Sequence, residues 1–172
     1  MYLQNFFKKN DLEVVYLPNS ITNKSFPYDR SNITPFSLLW VRAFTEIYNP
    51  ELAIITLYEV RKEFPLARLT MIGPDKGSLG NTISLIEHLN LTENIDIVGP
   101  VENNQLFKYY QTHNVFLNTT SYESYGVAVM EAASCGIPII STSVGELPFL
   151  WNDKENILLI DEFDEKVMAS AV

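Results

Sequence analysis

At 172 residues the chain is long enough for one domain with a full hydrophobic core and too short for two. With 47% hydrophobic and 19% charged residues it is too apolar for a disordered segment. A net charge of -9 argues against a general nucleic-acid binder, which needs a basic surface, and allows an anionic ligand only where a few local donors hold it.

In chain order, residues 1–15 lack a cationic start followed by an apolar run, so no signal peptide is expected there. Val14–Leu17 reads as a short strand ended by Pro18-Asn19, and the polar stretch from Ser20 to Pro35 as a surface loop. Phe36–Val41 is an apolar run that predicts a buried strand, with Arg42 at its end. Asn49-Pro50-Glu51 combines an N-cap residue, a first-turn proline and an acid, and predicts a helix running to Phe64 before Pro65. Leu69–Ile72 predicts a strand entering the turn Gly73–Gly77, and Ser78–Asn90 a helix. The remaining expectations are strand Ile95–Val98, helix Glu102–Gln111, strand Val115–Leu117, helix Tyr125–Cys135 and strand Ile137–Ser141. A short helix Glu146–Trp151, strand Ile157–Ile160 and a helical start at Glu162 close the series.

Repeated strand–helix–strand units of this length predict an α/β fold: a doubly wound, Rossmann-like parallel sheet with helices on both faces. Such sheets bind ligands beyond the carboxyl ends of their strands. Arg42–Phe44, Gly73–Gly77, Gly99–Glu102 and Asn118–Gly126 are therefore expected along one edge. No run approaches the ~20 apolar residues of a membrane span.

The candidate groups each have two readings. Arg42, at a strand end, suits a phosphate or an ordinary ion pair with an acid such as Glu46. Gly73-Pro74-Asp75-Lys76-Gly77 either brings amides and Lys76 to a ligand or is a plain turn. Ser124-Tyr125-Gly126 opens a helix whose first amides could receive an anion. Glu131 lies among apolar neighbours inside that helix, so it must either accept hydrogen bonds from vicinal hydroxyls of a ligand or cap a structural network. Glu123 is a site acid or a solvated loop acid. Cys135 reads as a small buried residue, His113 as a helix C-terminal cap, and Trp40, Trp151 and Tyr109-Tyr110 as packing. His88 and His113 have no partners at metal-ligand spacing, and no Asp-x-Asp pair is present to hold a divalent metal beside a diphosphate.

On these residues a resemblance stands out. The segment NVFLNTTSYESYGVAVMEAASCGIPIISTSVGELPFL resembles the signature region of family 4 retaining glycosyltransferases, in the nucleotide-sugar-binding half of the GT-B fold. The family's acid–seven–acid motif matches Glu123 and Glu131, its strand-end arginine matches Arg42 in LLWVRAF, its next turn matches MIGPDKGS, and its opening matches Pro18-Asn19. The resemblance implies that Glu123 contacts hydroxyls of the donor sugar and that Glu131 binds the ribose. It also implies that Arg42 neutralises the leaving diphosphate, with Gly73 and Lys76 nearby. Ser124, Tyr125 and Gly126 would offer backbone amides, and the loop Gly99–Glu102, with Val101, would hold the base. The catalytic pair implied is Arg42 and Glu123. The chain departs from the pattern at three places: Thr45–Asn49 holds no lysine after the arginine, Glu146 stands in a usual glycine pair, and Phe149 stands where an acid often follows.

The resemblance further implies a metal-independent hexosyltransferase with no cofactor, using a UDP- or GDP-sugar donor to build a polysaccharide or glycolipid. Residues 1–172 would form a single donor-binding domain, with the acceptor, a sugar or lipid-linked sugar, held by a missing N-terminal domain. Any membrane contact would come through that part, and the location expected is cytoplasmic or peripheral at the inner membrane face. Two other readings compete: a degenerate, non-catalytic nucleotide-sugar-binding module, and a GT-B relative such as a sugar-nucleotide epimerase.

Overall fold

A computed structural model describes residues 2–15, 17, 19–21, 25–161 and 163–172. Among the described residues six strands form one sheet: β1 (Ser37–Val41), β2 (Arg68–Ile72), β3 (Ile95–Gly99), β4 (Val115–Asn118), β5 (Ile139–Thr142) and β6 (Leu158–Ile160). Their order is β3-β2-β1-β4-β5-β6 and every pairing is parallel. The helices are α1 (Tyr2–Lys8), α2 (Pro50–Val60), α3 (Leu79–His88), α4 (Asn103–Thr112), α5 (Val127–Ser134), α6 (Leu147–Leu150) and α7 (Glu165–Ser170), with a 3-10 turn at Glu46–Tyr48. The sheet grows outward on one side of β1 through β2 and β3. It then grows on the other side through β4, β5 and β6, so the topological switch point lies between β1 and β4.

The two cores explain the continuous apolar runs. Successive residues of a strand point to opposite faces. In β1, Leu38 and Trp40 join Leu52, Leu57, Ile86 and Met168 on the face covered by α2, α3 and α7. Leu39 and Val41 join Leu106, Tyr110, Phe116 and Val129 on the face covered by α4 and α5. All five β1 residues are buried, which is why no polar alternation marks this strand.

Several expected boundaries move, each for a local reason. Val14, Val15 and Leu17 form no strand, and Val15 is 88% exposed: β-branched residues favour a pleated, half-buried surface, and none is offered here. Tyr16, Pro18 and Glu162 of the expected elements lie outside the described residues. A helix, α1, lies where the sequence reading assigns none. The Asn49-Pro50 helix start forms as expected, with the Asn49 side chain accepting from Leu52 N at 3.2 Å. The helix stops at Val60, not Phe64, and Arg61 Nη1 folds back to the carbonyl of Ala67 at 2.9 Å. Helix α5 begins at Val127, not Tyr125, because its N-cap Gly126 takes a left-handed conformation (φ +82°).

Candidate functional site

The carboxyl ends of β1 and β4 meet at the switch point, and Arg42 leaves β1 there. Its Nε and Nη2 donate to Asn118 Oδ1 at 3.2 and 3.0 Å, and Nη2 also pairs with Glu123 Oε2. The guanidinium lies over the Tyr48 ring at 5.2 Å. Asn118 is fully buried, and its own amide nitrogen donates to Ser141 Oγ on β5 at 2.9 Å. One asparagine therefore ties three neighbouring strands to the arginine head. Among the described residues the remaining nitrogen, Nη1, has no protein acceptor. Arg42 does not pair with Glu46, which is exposed; its acid is Glu123, 81 residues away in sequence.

Glu123 is only 7% exposed, which removes the solvated-loop reading. Besides Arg42, its Oε1 lies 3.4 Å from the Tyr125 amide. The loop carrying it is pinned from both sides. Thr119 Oγ1 lies 2.8 Å from the carbonyls of both Tyr48 and Asn49, and receives Trp40 Nε1 at 2.9 Å. Thr120 and Ser121 bind the Ile47 carbonyl. These contacts lock the segment after β4 to the 3-10 turn after β1 and so hold Tyr48 against Arg42.

Two glycines close this arrangement. A Cβ on Gly73, at φ +150°, would sit 1.8 Å from the Arg42 carbonyl oxygen. A Cβ on Gly145, at φ +58°, would sit 1.7 Å from the Glu123 carbonyl oxygen. Only glycine permits backbone approach this close. The Glu146 amide then donates to that same Glu123 carbonyl at 3.2 Å, so Glu146, in the place where the motif usually has a second glycine, lies buried directly behind the loop. Phe149, where the motif often has an acid, is exposed.

Glu131 is 6% exposed on α5 and faces α4. Asn103 Nδ2 donates to its Oε1 at 3.0 Å and the Tyr110 hydroxyl to its Oε2 at 3.3 Å. Burial pushes its carboxyl above the usual value, opposed by the two hydrogen bonds and by the Arg42 charge. Arg42 acts similarly on Tyr110, whose hydroxyl is raised well above its ordinary value, chiefly by burial and then by the Glu131 charge. Arg42, Glu123 and Glu131 thus lie within one electrostatic neighbourhood at the switch point.

The other expected site residues lie on neighbouring loops along the same edge. Lys76 is exposed, but its amide donates to the Phe44 carbonyl at 2.9 Å, which stitches its loop beside the one that follows Arg42. Gly73 N donates to the Gly99 carbonyl at 2.9 Å, which brings the Gly99–Glu102 loop alongside, with Val101 half-buried. Ser124 is exposed and Tyr125 half-buried, ahead of the α5 start. Since Gly126 is the cap, the first-turn amides of α5 belong to Val127 and its successors, two residues later than expected.

Sequence reasoning gave no site role to Tyr48 or Asn103, read Tyr110 as packing, and placed Asn118 only at the start of the ligand edge. Asn118 carries a usable signal, an amide ending a buried apolar strand, where its polar atoms require partners. Tyr110 carries none, since two aromatic residues on a helix read as packing. Cys135 and His113 behave as expected: Cys135 is fully buried with its thiol pushed up to about 11, and His113 Nδ1 lies 2.8 Å from the Tyr109 carbonyl at the end of α4.

Comparison with known proteins bears on the family and the fold. The family model described as glycosyl transferases group 1 matches residues 23–172. The phosphatidylinositol N-acetylglucosaminyltransferase gpi3 subunit of Schizosaccharomyces pombe is 26% identical over 141 residues, covering 81% of this chain and 31% of the relative. TarM of S. aureus, solved with UDP among its ligands, superposes with a TM-score of 0.83 at 18% identity, covering 99% of this chain and 34% of that one. HepE from Anabaena, solved with UDP and glucose, gives a TM-score of 0.73 at 16% identity, covering 79% and 37%. These superpositions establish the fold, that of one half of a GT-B enzyme. The chain spans about a third of the length of the relatives it matches.

Proposed function

The chain belongs to the group 1 glycosyl transferases, and from that premise we propose that it is the donor domain of a retaining, metal-independent hexosyltransferase. It binds a nucleotide-diphospho-sugar at the carboxyl edge of its sheet. The observation that carries the reading is the convergence of Arg42, Glu123 and Glu131 at the switch point between β1 and β4, with Arg42 engaged by one acid and acting on the other. UDP is the first donor nucleotide to test, because UDP is bound in the TarM and HepE structures.

In this reading Arg42 stabilises the charge that develops on the diphosphate as its bond to the sugar breaks. The Nη1 group is left for the ligand while Asn118 and Glu123 hold the other two nitrogens, Nε and Nη2. The first-turn amides of α5 add neutral donors toward a phosphate. Glu123, fixed through its own carbonyl, accepts hydroxyls of the transferred sugar. Glu131 accepts the ribose diol, and the loop Gly99–Glu102 holds the base. Lys76 is the candidate for a second cation, since its loop runs beside that of Arg42. A sugar or lipid-linked acceptor is held by a further domain, because transfer requires donor and acceptor to be fixed together.

Calorimetric titration with UDP, GDP and ADP tests this. We expect one nucleotide to bind, with affinity lost in Glu131→Ala and reduced in Arg42→Ala. Binding of none of the three overturns the reading. Binding that survives Arg42→Ala unchanged favours a non-catalytic module, and donor hydrolysis after fusion to an acceptor domain separates the module from an enzyme.

A further inference from the structure

Glu131 is held by a layer of structure that the mechanism above does not use. Residues 25–35 run as a strap across α4 and α5. Ser134 Oγ donates to the Phe26 carbonyl at 3.0 Å, Gln111 Nε2 to the Pro27 carbonyl at 2.7 Å, and Thr34 N to the Thr112 carbonyl at 2.7 Å. Arg30 Nη1 donates to the Tyr110 carbonyl at 2.8 Å.

Beneath the strap, Tyr110 is fully buried between two edge-on rings, Phe26 at 6.1 Å and Phe116 at 5.5 Å. A ring so enclosed cannot swing, and its hydroxyl is fixed toward Glu131 Oε2. Asn103 stands seven residues earlier, two turns along the same helix face, and supplies the other oxygen. A carboxylate offers about four acceptor sites, two per oxygen. One protein donor on each oxygen fixes the plane of the group and leaves a second site on each. Two acceptor sites side by side match two hydroxyls on adjacent carbons. Both protein donors are neutral, so the negative charge that strengthens such bonds is retained.

We infer that Tyr110, together with Asn103, is a positioning residue that orients the Glu131 carboxylate for a ribose 2′,3′-diol, so that the strap and α4 set the preference for ribonucleotides. The inference rests on the assignment of Glu131 to the ribose. Tyr110 itself touches no ligand, and its effect passes through Glu131.

The test compares UDP with 2′-deoxy-UDP by calorimetry in the wild-type chain, Tyr110→Phe, Asn103→Ala and Glu131→Gln. The wild type is expected to prefer UDP by about tenfold, the value of one hydrogen bond to a charged group. Tyr110→Phe is expected to cut that preference to about threefold while affinity for 2′-deoxy-UDP hardly changes. Equal weakening of both nucleotides would mean a purely structural role and would overturn the inference. A second readout needs no ligand: carbon-13 titration of the glutamate carboxyls should place the Glu131 pKa higher in Tyr110→Phe, and an unchanged value also overturns it. If Tyr110→Phe fails to fold, Asn103→Ala, at an exposed first helical residue, serves for both readouts. A wild-type chain that binds none of UDP, GDP and ADP removes the functional reading and this inference together; where GDP or ADP is the one bound, the comparison is made with that nucleotide and its 2′-deoxy form. A preference abolished by Glu131→Gln but unmoved in both helix variants removes this inference alone.

Discussion

The two acids of the site are equally buried yet held in opposite ways. Glu123 faces a cation, with Arg42 against one oxygen and a weak amide contact on the other. Among the described residues Glu131 faces only neutral donors, an amide and a phenol, and Arg42 reaches it through space. An ion pair cancels charge locally, so a ligand that uses Arg42 or Glu123 has to share or displace the partner. Neutral hydrogen bonds leave the charge in place, and a ligand hydroxyl adds to them without displacing anything. The first acid is thus tied to the site's cation, and the second keeps its charge free to accept hydrogen bonds.

The largest expected effect comes from the glycines behind the ion pair. Gly145→Ala would force a Cβ to within 1.7 Å of the Glu123 carbonyl oxygen from a left-handed backbone. It should destabilise the fold by more than about 3 kcal/mol in urea melts, or displace Glu123 and abolish binding. A variant with wild-type stability and affinity would show that the loop is not pinned there.

Breaking the pair itself ranks next. Arg42→Ala leaves a buried carboxylate without its cation and should cost about 3 kcal/mol, whereas the double variant Arg42→Ala/Glu123→Gln should recover much of it. Failure of the second change to restore stability would mean that Asn118, not Glu123, is the important partner of Arg42.

A smaller effect distinguishes the second acid by pH. The folded-state pKa of Glu131 is raised by burial, so in the folded protein this group holds its proton to higher pH than in the unfolded chain. Its contribution to stability therefore falls as pH rises from the ordinary glutamate range through the raised value, and is regained on acidification. On the proposed role of Glu131 as ribose acceptor, nucleotide affinity is expected to run the other way and to decline as pH falls through the same window. The groups facing this carboxyl among the described residues are Asn103 and Tyr110 from α4, Arg42 from the end of β1 and Cys135 at the C-terminal end of its own helix. Thermal melts of wild type and Glu131→Gln across pH should differ in slope there; identical slopes would remove the uncompensated charge from the comparison.

The smallest expected effect concerns Cys135, whose thiol is raised to about 11 by burial first and by the Glu131 charge second. Reaction with a disulfide reagent at neutral pH should be slow in the native chain and fast in urea. Glu131→Gln should speed it only slightly, and no native protection at all would place the α5 end in water.

The strands and most helices are legible from local chemistry, because each is written in a few adjacent residues. The apolar run Leu38–Val41 needs cover on both faces, and Asn49-Pro50 supplies its own cap. Failures occur where the outcome depends on something distant. The Val14 run has β propensity but no surface to pack on, and the α5 start shifts to Val127 because Gly126 adopts a left-handed conformation against Leu147.

By itself the sequence determined the parallel α/β architecture and the edge on which to look, since periodicity and strand ends are local properties of the chain, and it marked Arg42, Glu123 and Glu131 as candidates through their resemblance to a family motif. Only the tertiary structure decided what each of these groups meets. Arg42 and Glu123 join across 81 residues because β1 and β4 are neighbours at the switch point. Tyr110 and Asn103 meet Glu131 because α4 and α5 pack on one face of the sheet. Those partners follow from strand order and helix packing, which bring together residues that no local pattern connects.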